Sequence, residues 1–158
     1  MRQAPAGFVA AYPALFRSAY RVAFRLLGDR SDAEEVAQEA LTRALTRWRR
    51  VHEYAEPWVV RVSTNLAIDA ARRRARHREE LTERVAVDAY ADERVDLVRA
   101  LSALPKRQRE VVVLRFLGDF SEANVATTLG LSTGTVKSHS SRGLQALRLS
   151  LDPVTEES

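Results

Sequence analysis

Apolar residues recur along this 158-residue chain at three- and four-residue steps, the spacing of amphipathic helices, with no sustained strand-like alternation. From Phe8 to Leu27 the arginines Arg17, Arg21 and Arg25 fall on one stripe, leaving Phe16, Tyr20, Phe24 and Leu27 for another face. Pro13 is expected to start the main part of this helix. Gly28-Asp-Arg makes a turn, and Ser31 with Glu34 forms a capping box for a second helix running to about Trp48. A loop over 52–56 then leads to a helix opened by Pro57 and continuing to about His77. Arg94 to Ala103 reads as helical. Pro105 starts another helix that carries Val111, Val112, Leu114 and Phe116 and stops at Gly118.

The stretch from Ser121 to Leu147 reads as a helix-turn-helix. Ser121 can cap its first helix, Gly130 can end that helix in a left-handed residue, and Ser132 can cap the second. In the second helix Val136, Leu144 and Leu147 share one face, with Ser140 between them. Thr133, Lys137 and Ser141 lie on another, beside Gly134, Ser138 and Arg142. Small, polar and basic outward stripes suit a helix that approaches base edges and phosphates. An ordinary helical hairpin with a polar surface would show the same pattern.

Charge divides the chain. Residues 1–78 hold 15 basic and 8 acidic side chains, residues 79–96 hold 2 and 7, and residues 97–158 hold 8 and 6. The acidic stretch from Glu79 to Glu93 lacks a sustained helical stripe. It is expected to be a linker (79–94) between helical domains at 1–78 and 95–151, with an acidic, disordered tail at 152–158. A short exposed helix within the linker is the alternative. About 16 flexible residues have a typical end-to-end distance of roughly 20–24 Å. The fold class is thus all-α, with two small domains.

Composition removes several functions. The chain has no cysteine, and His52, His77 and His139 lack ligand spacing, so neither a disulfide framework nor a metal site is expected. No cofactor is expected either. Glu34 and Glu35 diverge by about 100° on a helix and cannot converge on one bond. With no phosphate loop or nucleophile elbow, the chain is not expected to be an enzyme. No apolar run approaches the roughly 20 residues of a membrane span, and the N-terminus does not resemble a signal peptide. A cytoplasmic location is expected.

Two further surfaces stand out. Trp58, Arg61, Asn65, Asp69 and Arg72 share a stripe on the Pro57 helix, while Val59, Val62, Leu66 and Ala70 face the core. An aromatic can stack on an unpaired base, arginine can hold phosphate, and asparagine can pair with adenine. A core tryptophan beside a solvated basic face fits the stripe equally well. The second helix opens with Asp32, Glu35, Gln38 and Glu39, an acidic face suited to a basic protein partner. The same acids also complement the helix dipole with no partner at all.

Taken together these segments resemble the extracytoplasmic-function (ECF) type of bacterial sigma factor in the sigma-70 family, in an actinobacterial branch. Asp32–Leu45 looks like the family's polymerase-docking helix, and Trp58–Arg74 resembles its minus-ten helix. Leu101–Arg115 resembles the start of its second conserved domain, and Gly134-Thr-Val-Lys-Ser138 is similar to its minus-thirty-five signature. The resemblance implies a factor that directs core RNA polymerase to promoter DNA and initiates transcription. It implies that Asp32, Glu35, Gln38 and Glu39 meet the polymerase. Trp58, Arg61, Asn65, Asp69, Arg72 and Arg73 would face the minus-ten element with the loop from His52 to Glu56, which would hold an unstacked base. Thr133, Thr135, Lys137, Ser138, Ser141 and Arg142 would read the minus-thirty-five element. It further implies a linker threading the polymerase channel, an anti-sigma factor as regulator, and a chain that is monomeric when free or one-to-one with that regulator. The segment His139-Ser-Ser-Arg142 carries fewer positive charges than many relatives have there. A stand-alone helix-turn-helix regulator is the main rival, although no heptad seam offers the dimer such proteins use. A plain interaction module with a basic surface is the second rival.

Overall fold

A computed structural model describes residues 3–81 and 89–152. All regular elements among them are helical: α1 (Phe8–Leu27), α2 (Arg30–Thr46), α3 (Trp48–Val51), a 3-10 turn (His52–Tyr54), α4 (Ala55–Leu81), α5 (Ala89–Ala103), α6 (Lys106–Val112) continued by a π turn (Val113–Leu117), α7 (Glu122–Leu129) and α8 (Thr133–Leu151). Helices α1, α2 and α4 pack together as an N-terminal lobe, and α5 to α8 form a C-terminal lobe.

Several helix limits differ from those the sequence suggests, each for a local reason. α1 starts at Phe8, and Pro13 lies inside it. The carbonyl that Pro13 leaves without a donor belongs to Val9, a residue 68% exposed, so water can satisfy it. The cap of α2 is Asp29, whose carboxylate accepts from the Asp32 N–H at 2.9 Å. Gly28, left-handed at φ 67°, ends α1 and leaves Asp29 as the first residue able to cap. The segment 52–56 is no open loop: a 3-10 turn runs directly into α4, so Pro57 sits in a first turn where a missing N–H is harmless. The acidic stretch is helical at both ends, since α4 reaches Leu81 and α5 begins at Ala89. The expectation of a flexible connection between them and that of a disordered tail fall on residues 82–88 and 153–158, outside the described residues.

Two cores hold the described residues together. One lies within the N-terminal lobe, where Phe8, Leu15, Leu41, Trp48, Trp58 and Val59 are buried together. Trp48 donates its indole N–H to the Ala6 carbonyl at 3.0 Å and meets Phe8 edge-on, which pins the start of the chain. The other core crosses between the lobes. Val22, Leu26, Val60 and Ile68 from the first lobe join Val98, Leu101, Val111, Leu114 and Val136 from the second.

Gly143 lets α8 close on α6. A Cβ there would stand 2.4 Å from Cγ2 of the buried Val112. Gly143→Val is therefore expected to destabilise the C-terminal lobe by about 1–3 kcal/mol through overpacking. Thermal unfolding followed by circular dichroism checks this; an unchanged midpoint contradicts the close approach.

Candidate nucleic-acid interface

The helix-turn-helix forms from the residues expected to form it. Ser121 accepts the Asn124 N–H at 3.1 Å, Gly130 is left-handed at φ 67°, and Ser132 accepts the Thr135 N–H at 3.1 Å. These three residues fix the entry of α8. Val136 and Leu147 are buried, and Ser140 and Leu144 are half-buried, so the inward face agrees with the periodicity. Thr133, Gly134, Lys137, Ser138, Ser141 and Arg142 are exposed on the outward stripes. Thr135 is half-buried, and its hydroxyl lies 2.9 Å from that of Ser132, so it serves the helix cap as well as any ligand. Lys137 approaches Glu122 of α7 at 3.9 Å. Lys137 is exposed and Glu122 half-buried, so the pair contributes little to stability.

On α2, Glu35, Gln38 and Glu39 are exposed along one face. Glu39 also holds Arg43 at 2.9 Å, one turn on. Asp32 is different. It is half-buried and paired with Arg74 of α4, so it ties two helices together.

The first half of the α4 stripe faces a neighbour, and the second half is open. Trp58 is only 7% exposed and packs in the N-terminal core, with the Arg61 guanidinium 5.9 Å from its ring centre. In this arrangement its ring offers no open face for a base to stack on. Arg61 donates to Glu110 of α6 at 3.3 Å, Arg72 donates to the Ser102 carbonyl of α5 at 3.1 Å, and Asn65 is half-buried. Asp69, Arg72 and Arg73 are exposed.

Glu110 and Arg109 are the functional candidates that the sequence reading passed over. Glu110 is 2% exposed and also lies 3.8 Å from Arg107. Burial first, then Arg72, lowers the Arg109 pKa from its ordinary value, while Glu110 and Asp69 oppose the shift. A signal for Glu110 was available: it stands one helical turn before Leu114 and so shares a side of the helix with an inward residue. Among the described residues no group of histidines and carboxylates could hold a metal ion, and no helix is long and apolar enough to cross a membrane.

Sequence patterns of known families cover most of the chain. The pattern of Sigma-70 region 2 matches residues 12–77, and that of Sigma-70, region 4 matches residues 94–147. The chain is 39% identical to ECF RNA polymerase sigma factor SigE of Mycolicibacterium smegmatis over 82% of its own length and 55% of that protein's. It is 35% identical to ECF RNA polymerase sigma factor SigL of Mycobacterium tuberculosis over 92% and 93% of the two chains. In fold it is similar to the sigma factor RpoE of Bartonella quintana, solved with the anti-sigma factor NepR, at a TM-score of 0.57 and 23% identity over 93% of this chain and 98% of that one.

Proposed function

The chain belongs to the ECF sigma factors of the sigma-70 family, and from that premise we propose a division of labour among its surfaces. Glu35, Gln38 and Glu39 on α2 dock on basic surface of core RNA polymerase, with Asp32 holding that helix to α4. The α4 stripe, from Arg61 through Asn65 and Asp69 to Arg72 and Arg73, engages the minus-ten element. Trp58 supports that stripe from beneath. The outward stripes of α8 read the minus-thirty-five element, with Lys137 and Arg142 as phosphate anchors and Thr133, Ser138 and Ser141 near base edges.

The single observation that carries this reading is that one chain presents three chemically distinct helix faces in the order the family requires. The first is acidic, on α2. The second is mixed arginine and amide, on α4. The third is small, polar and basic, on a capped recognition helix. Family membership leaves no separate place for a self-sufficient repressor-type regulator, because the N-terminal half matches region 2. The chain would act without catalysis of its own, in the cytoplasm where the polymerase works. We extend to it a protein regulator of the kind that accompanies the Bartonella quintana RpoE.

Mixing with purified core polymerase tests the reading. One-to-one co-elution and specific run-off transcripts are expected. Occupancy of a palindrome by two copies without polymerase would refute it. Within the holoenzyme, Lys137→Ala and Arg142→Ala are each expected to weaken promoter binding. Each should also reduce the slope of log affinity against log salt by about 1 if a phosphate contact is lost. A slope equal to the parent's in both variants contradicts the assignment of α8.

A further inference from the structure

The end of α1, the second half of α4 and the start of α5 enclose a cleft of about 410 Å³. That volume is within the range of small-ligand sites. Apart from Arg72 and Arg74, its walls belong to no surface assigned above. Its apolar part is Leu26 and Leu27 of α1, Ala71 and Ala75 of α4, and Val95 and Val98 of α5. Five arginines line it as well: Arg72, Arg74 and Arg78 from α4, Arg94 and Arg99 from α5. Among the described residues no acid lines it.

The charges are not balanced from within. Asp32 pairs with Arg74, and Asp96 lies 3.7 Å from Arg99, so two of the five are offset and an excess of three positive charges surrounds one small cavity. Like charges around a partly desolvated cavity repel one another until an anion joins them. The end of α1 makes room for this crowding. Gly28 closes that helix, and a Cβ there would collide with the Arg94 guanidinium. Arg94 therefore lies against the helix end, where Arg74 also donates to the Leu27 carbonyl at 3.5 Å. Ser102 is the neutral polar residue of the wall. Its carbonyl accepts from Arg72, and its hydroxyl is buried with no partner among the described residues.

We infer that this cleft binds a nucleoside triphosphate, with the phosphates on the arginines and the base and sugar against the aliphatic floor. Guanidinium groups meet phosphate oxygens in paired hydrogen bonds and stack on planar rings, so arginine serves both ends of such a ligand. The excess of positive charge is more than a single carboxylate neutralises, which sets aside a fatty acid. Inorganic polyphosphate satisfies the charge but leaves the apolar floor wet, whereas a nucleoside covers it. The inference needs neither the promoter reading nor polymerase, so it stands or falls on binding to the free chain.

The test is fluorescence anisotropy of GTP carrying an N-methylanthraniloyl group on its ribose, titrated with the full-length chain. Saturable binding below about 100 μM is expected. Unlabelled GTP or ATP should displace the probe, the diphosphates less well and the monophosphates least. Arg78→Ala and Arg99→Ala, both at exposed positions, should each weaken binding about tenfold, the scale of one charge-assisted hydrogen bond. Val95→Glu, at a residue 42% exposed in the cleft wall, sets a carboxylate among the phosphates and should abolish binding. It decides the matter if an arginine variant fails to fold by circular dichroism. Failure to saturate by about 1 mM overturns the inference. So does equal affinity in the parent and all three variants, which would put the nucleotide elsewhere. Displacement by inorganic tripolyphosphate as effective as that by GTP also overturns it, because the floor would then be idle. If the arginine variants lose as much affinity for a mixed-sequence DNA duplex as for the nucleotide, the rim is a general polyanion surface and the inference falls.

Discussion

Replacing Glu35 and Glu39 together by arginine is expected to weaken association with core RNA polymerase by a hundredfold or more, with the fold intact. The magnitude follows from placing like charges across an interface, which costs several kcal/mol, so about 3 kcal/mol or roughly two decades of affinity is a moderate figure. Structure decides which acids to change. Glu35 and Glu39 are exposed, and the exposed Glu39–Arg43 pair contributes little to stability. Asp32 belongs outside this test because it pairs with Arg74, and its reversal would set two arginines against each other between α2 and α4. Polymerase binding is measured by titration of labelled chain, and stability by thermal melting. An affinity within threefold of the parent removes α2 as the docking helix.

Trp58→Ala carries the largest expected loss of stability. The side chain is 7% exposed and packs in the core that also holds Phe8, Trp48 and Val59. Emptying such a site costs about 3–5 kcal/mol. For a lobe of this size that corresponds to a midpoint lower by roughly 12 °C or more. Trp58→Phe, which keeps most of the volume, should cost far less. The pair of variants separates two roles. If Trp58 chiefly supports the α4 stripe, promoter binding by the holoenzyme survives in the phenylalanine variant. A melting midpoint unchanged in Trp58→Ala would show instead that the indole is free to leave the core.

The helices were legible because their apolar spacing is regular and their ends are marked by short-range chemistry. Ser121, Gly130 and Ser132 act within three or four residues of themselves, and each does what its type and position predict. The faces of α8 followed for the same reason. Legibility ended where two local options competed. Asp29 and Ser31 can both cap α2, and the choice depends on where α1 releases the chain. Pro57 marks a first turn but does not say whether a 3-10 turn precedes it. Trp58 was balanced between stacking on a base and filling a core, since a stripe on a helix wheel does not reveal which neighbour covers it. Burial settles its place in this arrangement. The contact between Arg61 and Glu110, residues 49 positions apart, has no local signature. Only the acid one turn before the inward Leu114 pointed toward it.

The pairing of Arg61 with Glu110 has a consequence for how such a chain can diverge. The two residues stand on different lobes, and losing the arginine would leave a buried carboxylate with only the more distant Arg107 beside it. Positions 61 and 110 are therefore expected to change in step among relatives, although 49 residues separate them along the chain.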